Sequence, residues 1–116
     1  MHEMRLHDKP FSLIKNGHKT IELRLYDEKR QLIRIGDIIQ FENRLTGERI
    51  STKVLNIYKY RNFCELFEHF SKEELGFCQD ETADYKDMEL YYSIDEQEKY
   101  GVVGIQIELL KWIYLF

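Results

Sequence analysis

The chain has 116 residues, which suits one ordinary domain and is too short for two self-sufficient cores, so residues 1–116 read as a single domain. Hydrophobic residues make up 43%, with only 6 Gly and 1 Pro, which excludes disordered, collagen-like and linker compositions. The net charge of -4 argues against a generic nucleic-acid coat, but 13 Lys/Arg face 8 Asp/Glu through Arg61 and 4 face 13 from Asn62 onward, so the first half can carry a positive face on an acidic molecule.

Met4 to Leu6 reads as a short opening strand. Asp8 is placed to cap a helix, and Pro10 suits its first turn, where the missing N–H costs nothing. Phe11, Leu13 and Ile14 give that helix an apolar side, and Gly17 is free to end it in the left-handed conformation. Lys19 to Leu25 alternates. Ile21, Leu23 and Leu25 share one face, and Thr20, Glu22 and Arg24 share the other, as in a strand with one buried and one polar side. Asp27 to Arg30 is a charged turn, and Gly36-Asp37 is a second turn signal. Ile38 to Phe41 forms the next strand, Asn43 to Glu48 a hairpin connection, and Arg49 to about Tyr60 a long strand rich in Ile, Thr, Val and Tyr.

The character then changes. Phe63, Leu66, Phe67 and Phe70 have helical spacing, with Asn62 as cap. Ser71 and Glu74 fit a capping box that adds a turn before Gly76. Cys78 to Lys86 reads as a long acidic loop. Asp87 to Tyr92 is a short helix, and Ser93 with Glu96 opens another that ends at Gly101. Val102 to Ile107 is a strand of the fully buried type. About five strands in this order, with a strongly apolar last strand, predict an α+β fold: a twisted sheet closing into a small barrel with helices plugging its ends.

No run is apolar enough to cross a bilayer, and no apolar signal region follows the first residues, so a cytoplasmic location without membrane contact is expected. Cys64 and Cys78 lack any pairing motif, and the four histidines are scattered, so neither a disulfide nor a metal nor another cofactor is expected. The apolar end, Trp112 to Phe116, reads as a tuck into the barrel or a homodimer patch.

The segment from Gly17 to Arg30 carries the chemical signal. Glu22 and Arg24 point the same way, about 7 Å apart along a strand, where opposed charges orient each other. Arg24 offers a planar fork for phosphate, carboxylate or a base edge, and Lys19 a point charge that becomes a base if burial lowers its pKa. By chemistry alone, a solvated strand face with an ordinary ion pair explains the same residues.

Pro10-Phe11, Ile14 and Gly17-His18-Lys19-Thr20-Ile21-Glu22-Leu23-Arg24, followed by Gly36-Asp37-Ile38-Ile39-Gln40-Phe41, resemble the opening of the ASCH domain family of the PUA-like superfamily. Tyr100 to Ile105 resembles the family's closing strand. The resemblance spans approximately residues 4–110. It implies a PUA-like β-barrel of about five to six strands with two to four short helices. It also implies a cleft beside the first helix, lined by the Lys19–Arg24 strand, that takes RNA or a nucleotide-like small molecule. Lys19, Thr20, Glu22, Arg24, Tyr26, Lys29 and Arg30 are the ligand-binding candidates. Tyr58 and Tyr60, set among Lys53, Lys59 and Arg61, add stacking surfaces.

Some small members of the family hydrolyse the amide of N4-acetylcytidine with a Lys, a Thr two residues before the Arg, and a Glu from the later helical region. Lys19 matches the first. Glu22 stands where the Thr would be, so a hydroxyl nucleophile is missing and the alternative is Glu22 activating water with Lys19 as partner. Glu81, Glu89 and Glu96 all remain open for the later Glu. A third reading docks the acidic stretch from Glu65 to Glu98 on a basic partner protein.

Overall fold

The structure is a computed structural model that describes residues 1–111. The elements run β1 (His2–Leu6), α1 (Asp8–Lys15), β2 (Ile21–Leu25), β3 (Ile38–Asn43), β4 (Arg49–Tyr60), α2 (Phe63–Phe67), α3 (Ile94–Tyr100) and β5 (Val102–Leu109), with 3-10 turns at Arg30–Leu32 and Tyr85–Leu90. The five strands form one curled sheet in the order β1-β3-β4-β5-β2. The α+β class and the small barrel that the sequence predicts are seen here as a five-stranded curled half-barrel with a few short helices. β1 and β2 are its two margins. β1 runs parallel to β3, and the other neighbours are antiparallel. The long β4 carries a bulge at Leu55, where its register against β5 slips between Val54 and Asn56, and such bulges sharpen the bend of a sheet.

Both faces of the sheet are covered, and this accounts for the run of buried residues Val102–Ile105 that opens β5. Val103, Ile105 and Ile107 join Met4, Leu6, Phe11, Ile14, Ile39, Phe41 and Val54 in the concave core closed by α1. Val102 joins Ile21, Leu23, Leu25, Phe63, Leu66 and Leu75 in a second core under α2. A parallel-sheet strand reads this way because it is buried on both sides, and here an antiparallel strand does so for the same reason.

Local differences from the sequence reading have simple causes. His7, in extended conformation, occupies the cap position of α1, while Asp8 is its first residue and its Oδ1 accepts from Asn43 Nδ2 at 2.9 Å. Ser71 and Glu74 do pair, yet residues 72–76 form a turn and not a helix. The short helix read at Asp87 to Tyr92 is a 3-10 turn beginning two residues earlier, with Asp84 as its cap. Asn62 caps α2 through Glu65 N–H, and the Ser93–Glu96 capping box of α3 is complete. Cys64 and Cys78 are unpaired. Among the described residues no helix is long and apolar enough to cross a membrane. The apolar segment 112–116, read as a core tuck or dimer patch, lies outside the described residues.

Candidate functional site: a cleft at the open margin of the half-barrel

β2 pairs with β5 so that Glu22 stands opposite Ile105 and Arg24 opposite Val103. Those two partners belong to the concave core. The polar face of β2 therefore looks into the half-barrel. The strand has the buried and the polar side that its alternation predicts, and the polar side is not a solvated face: Ile21, Leu23 and Leu25 are buried under α2, and Glu22 is itself only 3% exposed.

Lys19 is placed by the chain around it. After α1 ends, Gly17 takes φ +83 and the N–H groups of His18 and Lys19 both donate to Leu13 O, folding the chain back toward β2. The N–H groups of Thr20 and Ile21 donate to Glu74 O, docking the 72–76 turn against the start of the strand. Gly76 closes that turn at φ +97, and a Cβ there would lie 2.8 Å from Lys19 Cδ. The bare glycine backbone thus forms one wall of the channel in which the Lys19 stem lies.

Three charged groups meet at the floor. Arg24 Nε donates to Glu22 Oε2 at 2.8 Å, and Lys19 Nζ lies 3.5 Å from Glu22 Oε1. The side chains of Lys19, Arg24 and Glu22 are 10%, 14% and 4% exposed. Burial pushes the Glu22 carboxyl up, but Arg24 and then Lys19 outweigh it and hold the group ionised below its ordinary value. Burial works against the Arg24 guanidinium, and Glu22 followed by the Tyr92 hydroxyl more than restores it. Burial raises the Tyr92 hydroxyl above its ordinary value against the pull of Arg24. Arg24 Nη2 also donates to Arg5 O at 3.2 Å, so the side chain spans from β2 to β1.

These groups line a cleft of about 770 Å³ between the sheet margins, within the range of roughly 300–1,000 Å³ usual for small-molecule sites. Its lining comes from β1, α1 and β2 and from the 75–77 and 87–92 segments. Six cations (Arg5, Lys9, Lys19, Arg24, Arg30 and Arg44) outnumber its four carboxylates (Glu22, Asp27, Glu81 and Asp87). Arg30 is held by Asp27, Nη1 to Oδ2 at 3.0 Å, while its Nε is buried without a hydrogen-bond partner among the described residues.

Of the sequence candidates, Lys19, Glu22, Arg24 and Arg30 come together in this cleft, and Thr20, Tyr26 and Lys29 do not line it. The backbone of Thr20 is committed to Glu74 and Ile107, Tyr26 packs against the core with Lys59 Nζ 5.2 Å from its ring centroid, and Lys29 is exposed at the start of the 3-10 turn. Tyr58 meets Phe70 edge-on, and Tyr60 stacks on His69 beside a separate surface hollow that also contains Glu89. Glu96 is committed to its capping box. Glu81 is the late glutamate that reaches the cleft. Its Oε2 accepts from Lys9 Nζ at 2.9 Å and its Oε1 from Cys78 N–H at 2.7 Å, and Lys9 first, then Cys78, bring its pKa to about 2. The 78–86 loop thereby borders the cleft, and Lys72 Nζ fastens it by donating to Gln79 O and Glu81 O. Sequence reasoning missed Arg5, His7, Lys9, Arg44, Tyr91 and Tyr92, whose only common property is position in the fold.

Comparison with known proteins agrees with this architecture. The ASCH domain profile matches residues 4–111. The crystal structure of hypothetical protein PH0355 superposes with a TM-score of 0.79 at 38% identity, covering 93% of this chain and 97% of that one. The solution NMR structure of protein PF0455 from Pyrococcus furiosus gives a TM-score of 0.69 at 36% identity, covering 96% and 98%. No curated protein matches. With the profile spanning nearly the whole chain, and two solved structures sharing more than a third of its residues over their full length, the chain belongs to the ASCH domain family.

Proposed function

We propose that the cleft binds RNA or a nucleotide-like small molecule. The observation that carries this reading is the excess of cations around an ionised, buried Glu22 in a nucleotide-sized hollow. Cations at the rim (Lys9, Arg44) suit phosphates, whereas the floor presents donors and an acceptor side by side, as the edge of a base requires. The family's general link to RNA points the same way. Titration of the protein with short single-stranded RNA and with ribonucleoside 5′-monophosphates tests it. Affinity should fall with salt, by a log–log slope of about -0.7 per phosphate contacted. It should also weaken in Lys9→Ala and Arg44→Ala, two rim variants outside the buried trio. Absence of binding at low salt refutes the reading.

The second reading is amide hydrolysis on a modified nucleoside such as N4-acetylcytidine. It draws on the Lys19–Glu22 contact and on Glu81 in the same cleft. The lowered pKa of Glu22 makes it a weak base for activating water, which favours binding over hydrolysis. Acetate release from N4-acetylcytidine that disappears in Lys19→Ala would reverse that preference.

A further inference from the structure

A strand at the margin of a sheet offers its main chain to whatever lies beside it, and the pairing pattern fixes which residues of β2 do so. Ile107 N–H donates to Thr20 O at 2.9 Å, and Tyr26 N–H donates to Gly101 O at 3.0 Å. In an antiparallel ladder, residues that exchange hydrogen bonds with the neighbouring strand alternate with residues whose N–H and C=O point the other way. With Glu22 opposite Ile105 and Arg24 opposite Val103, the even-numbered residues from Thr20 to Tyr26 bond to β5. Ile21, Leu23 and Leu25 therefore turn their main chain to the free margin. Ile21 shows this directly, because its N–H donates outward to Glu74 O at 3.0 Å.

The next two outward residues have no such partner. Among the described residues nothing bonds to the N–H or C=O of Leu23 or Leu25. Buried backbone groups are nearly always paired, yet these residues are only 7% and 6% exposed. Their side chains belong to the core under α2, and their outward main chain runs along the cleft they line. The facing margin is built alike. Arg44 N–H donates to Leu6 O at 2.9 Å, so Leu6 bonds toward β3 and Arg5 turns its main chain outward, where Arg5 O accepts from Arg24 Nη2 at 3.2 Å.

The gap between the margins does not suit a whole strand. Arg24 stands between Leu23 and Leu25 and its guanidinium reaches Arg5 O on the far side, so a peptide paired along β2 would have to displace that bridge. One residue's N–H and C=O, side by side, match a guest with one acceptor next to one donor on a flat edge. A nucleobase carries such an edge, and six cations against four carboxylates suit its phosphate.

We infer that the main chain of Leu23 reads the hydrogen-bonding edge of a single nucleobase, its N–H donating to an acceptor of the base and its C=O accepting from the neighbouring N–H of the same base. The inference rests on the cleft reading and makes it specific: the guest must bring an unblocked donor–acceptor edge.

The test uses the full-length wild-type protein, isotope-labelled for amide NMR, so folding of a variant is not in question. The probes are the four ribonucleoside 5′-monophosphates, ribose 5-phosphate, and an uncharged analogue of the tightest nucleotide that is methylated on the edge. The methyl groups sit on the exocyclic nitrogen of adenine or cytosine, or on the ring N–H of guanine or uracil. The Leu23 amide proton should move downfield on nucleotide binding, by more than those of Glu22 and Arg24, and its exchange with solvent should slow. The edge-methylated analogue should bind roughly five- to a hundredfold more weakly, and ribose 5-phosphate should leave the Leu23 amide in place. Nucleotide binding that leaves the Leu23 amide unmoved, or an edge-methylated analogue that binds as tightly as its parent, overturns the edge reading and leaves the cleft reading standing. An equal shift with ribose 5-phosphate also overturns it, since Leu23 would then answer to the phosphate. A capped peptide of alternating Glu and Val that shifts both the Leu23 and the Leu25 amides, where nucleotides shift neither, overturns it in favour of strand addition. Failure of every nucleotide to bind overturns the cleft reading and the edge reading together.

Discussion

Replacing Glu22 by Gln leaves the shape of the side chain nearly unchanged and removes the one charge that faces both Lys19 and Arg24. The two cations are 10% and 14% exposed, so most of their surface would stay out of water without the carboxylate. Breaking a buried ion pair by removing one partner costs about 3–5 kcal/mol. The residual solvent contact of both cations places this site at the lower end, about 3 kcal/mol, out of about 5–15 kcal/mol for a whole domain. At this chain length that amounts to a fall in Tm of about 10–15 °C. Thermal and urea unfolding followed by circular dichroism measure it. The pH dependence supplies the sign. The folded Glu22 pKa lies below the ordinary 4.5, so its contribution is complete above that value and is lost as the pH falls through the folded pKa. The gap between wild type and Glu22→Gln should therefore be the same at pH 7 and pH 5.5 and should narrow below 4.5. A variant that melts within about 2 °C of wild type at pH 7, or a gap that widens on acidification, refutes the assignment of Glu22 as the ionised centre of the trio.

Gly76→Ala should destabilise by about 1–2 kcal/mol because an L-residue is strained at this positive φ. It should also displace the Lys19 stem, so that nucleotide affinity falls together with the urea midpoint. Ser93→Ala removes the capping box of α3 and should cost about 1 kcal/mol in urea unfolding, with ligand binding unchanged. Lys9→Met removes the principal cause of the acidity of Glu81, and an NMR titration should find that carboxyl moving from about 2 toward the ordinary 4.5.

Much of this molecule is legible in its sequence because the signals are local. The alternation of residues 19–25 gives the strand and puts Glu22 and Arg24 on one side, and the Ser93–Glu96 pair marks a helix start at the right residue. What the alternation cannot convey is which side faces inward. In a sheet covered on both faces, polar residues no longer mark the solvent side, and the ion pair that resembled surface chemistry is the floor of a cleft. The choice among Glu81, Glu89 and Glu96 was closed to sequence for a related reason. It depends on Lys9 approaching a residue 72 positions away, and the acidic loop has no periodicity to report that meeting. His7 and Tyr91, separated by most of the chain, carry no shared pattern at all.

The Arg24 side chain has two tasks, since it steadies Glu22 and reaches across to the Arg5 carbonyl on the opposite sheet margin. A guest that captures this guanidinium must either leave that clasp fastened or undo it. If the cleft binds as proposed, occupancy of the hollow and breathing of the barrel seam become one equilibrium, and affinity is set partly by how firmly the two edges hold each other.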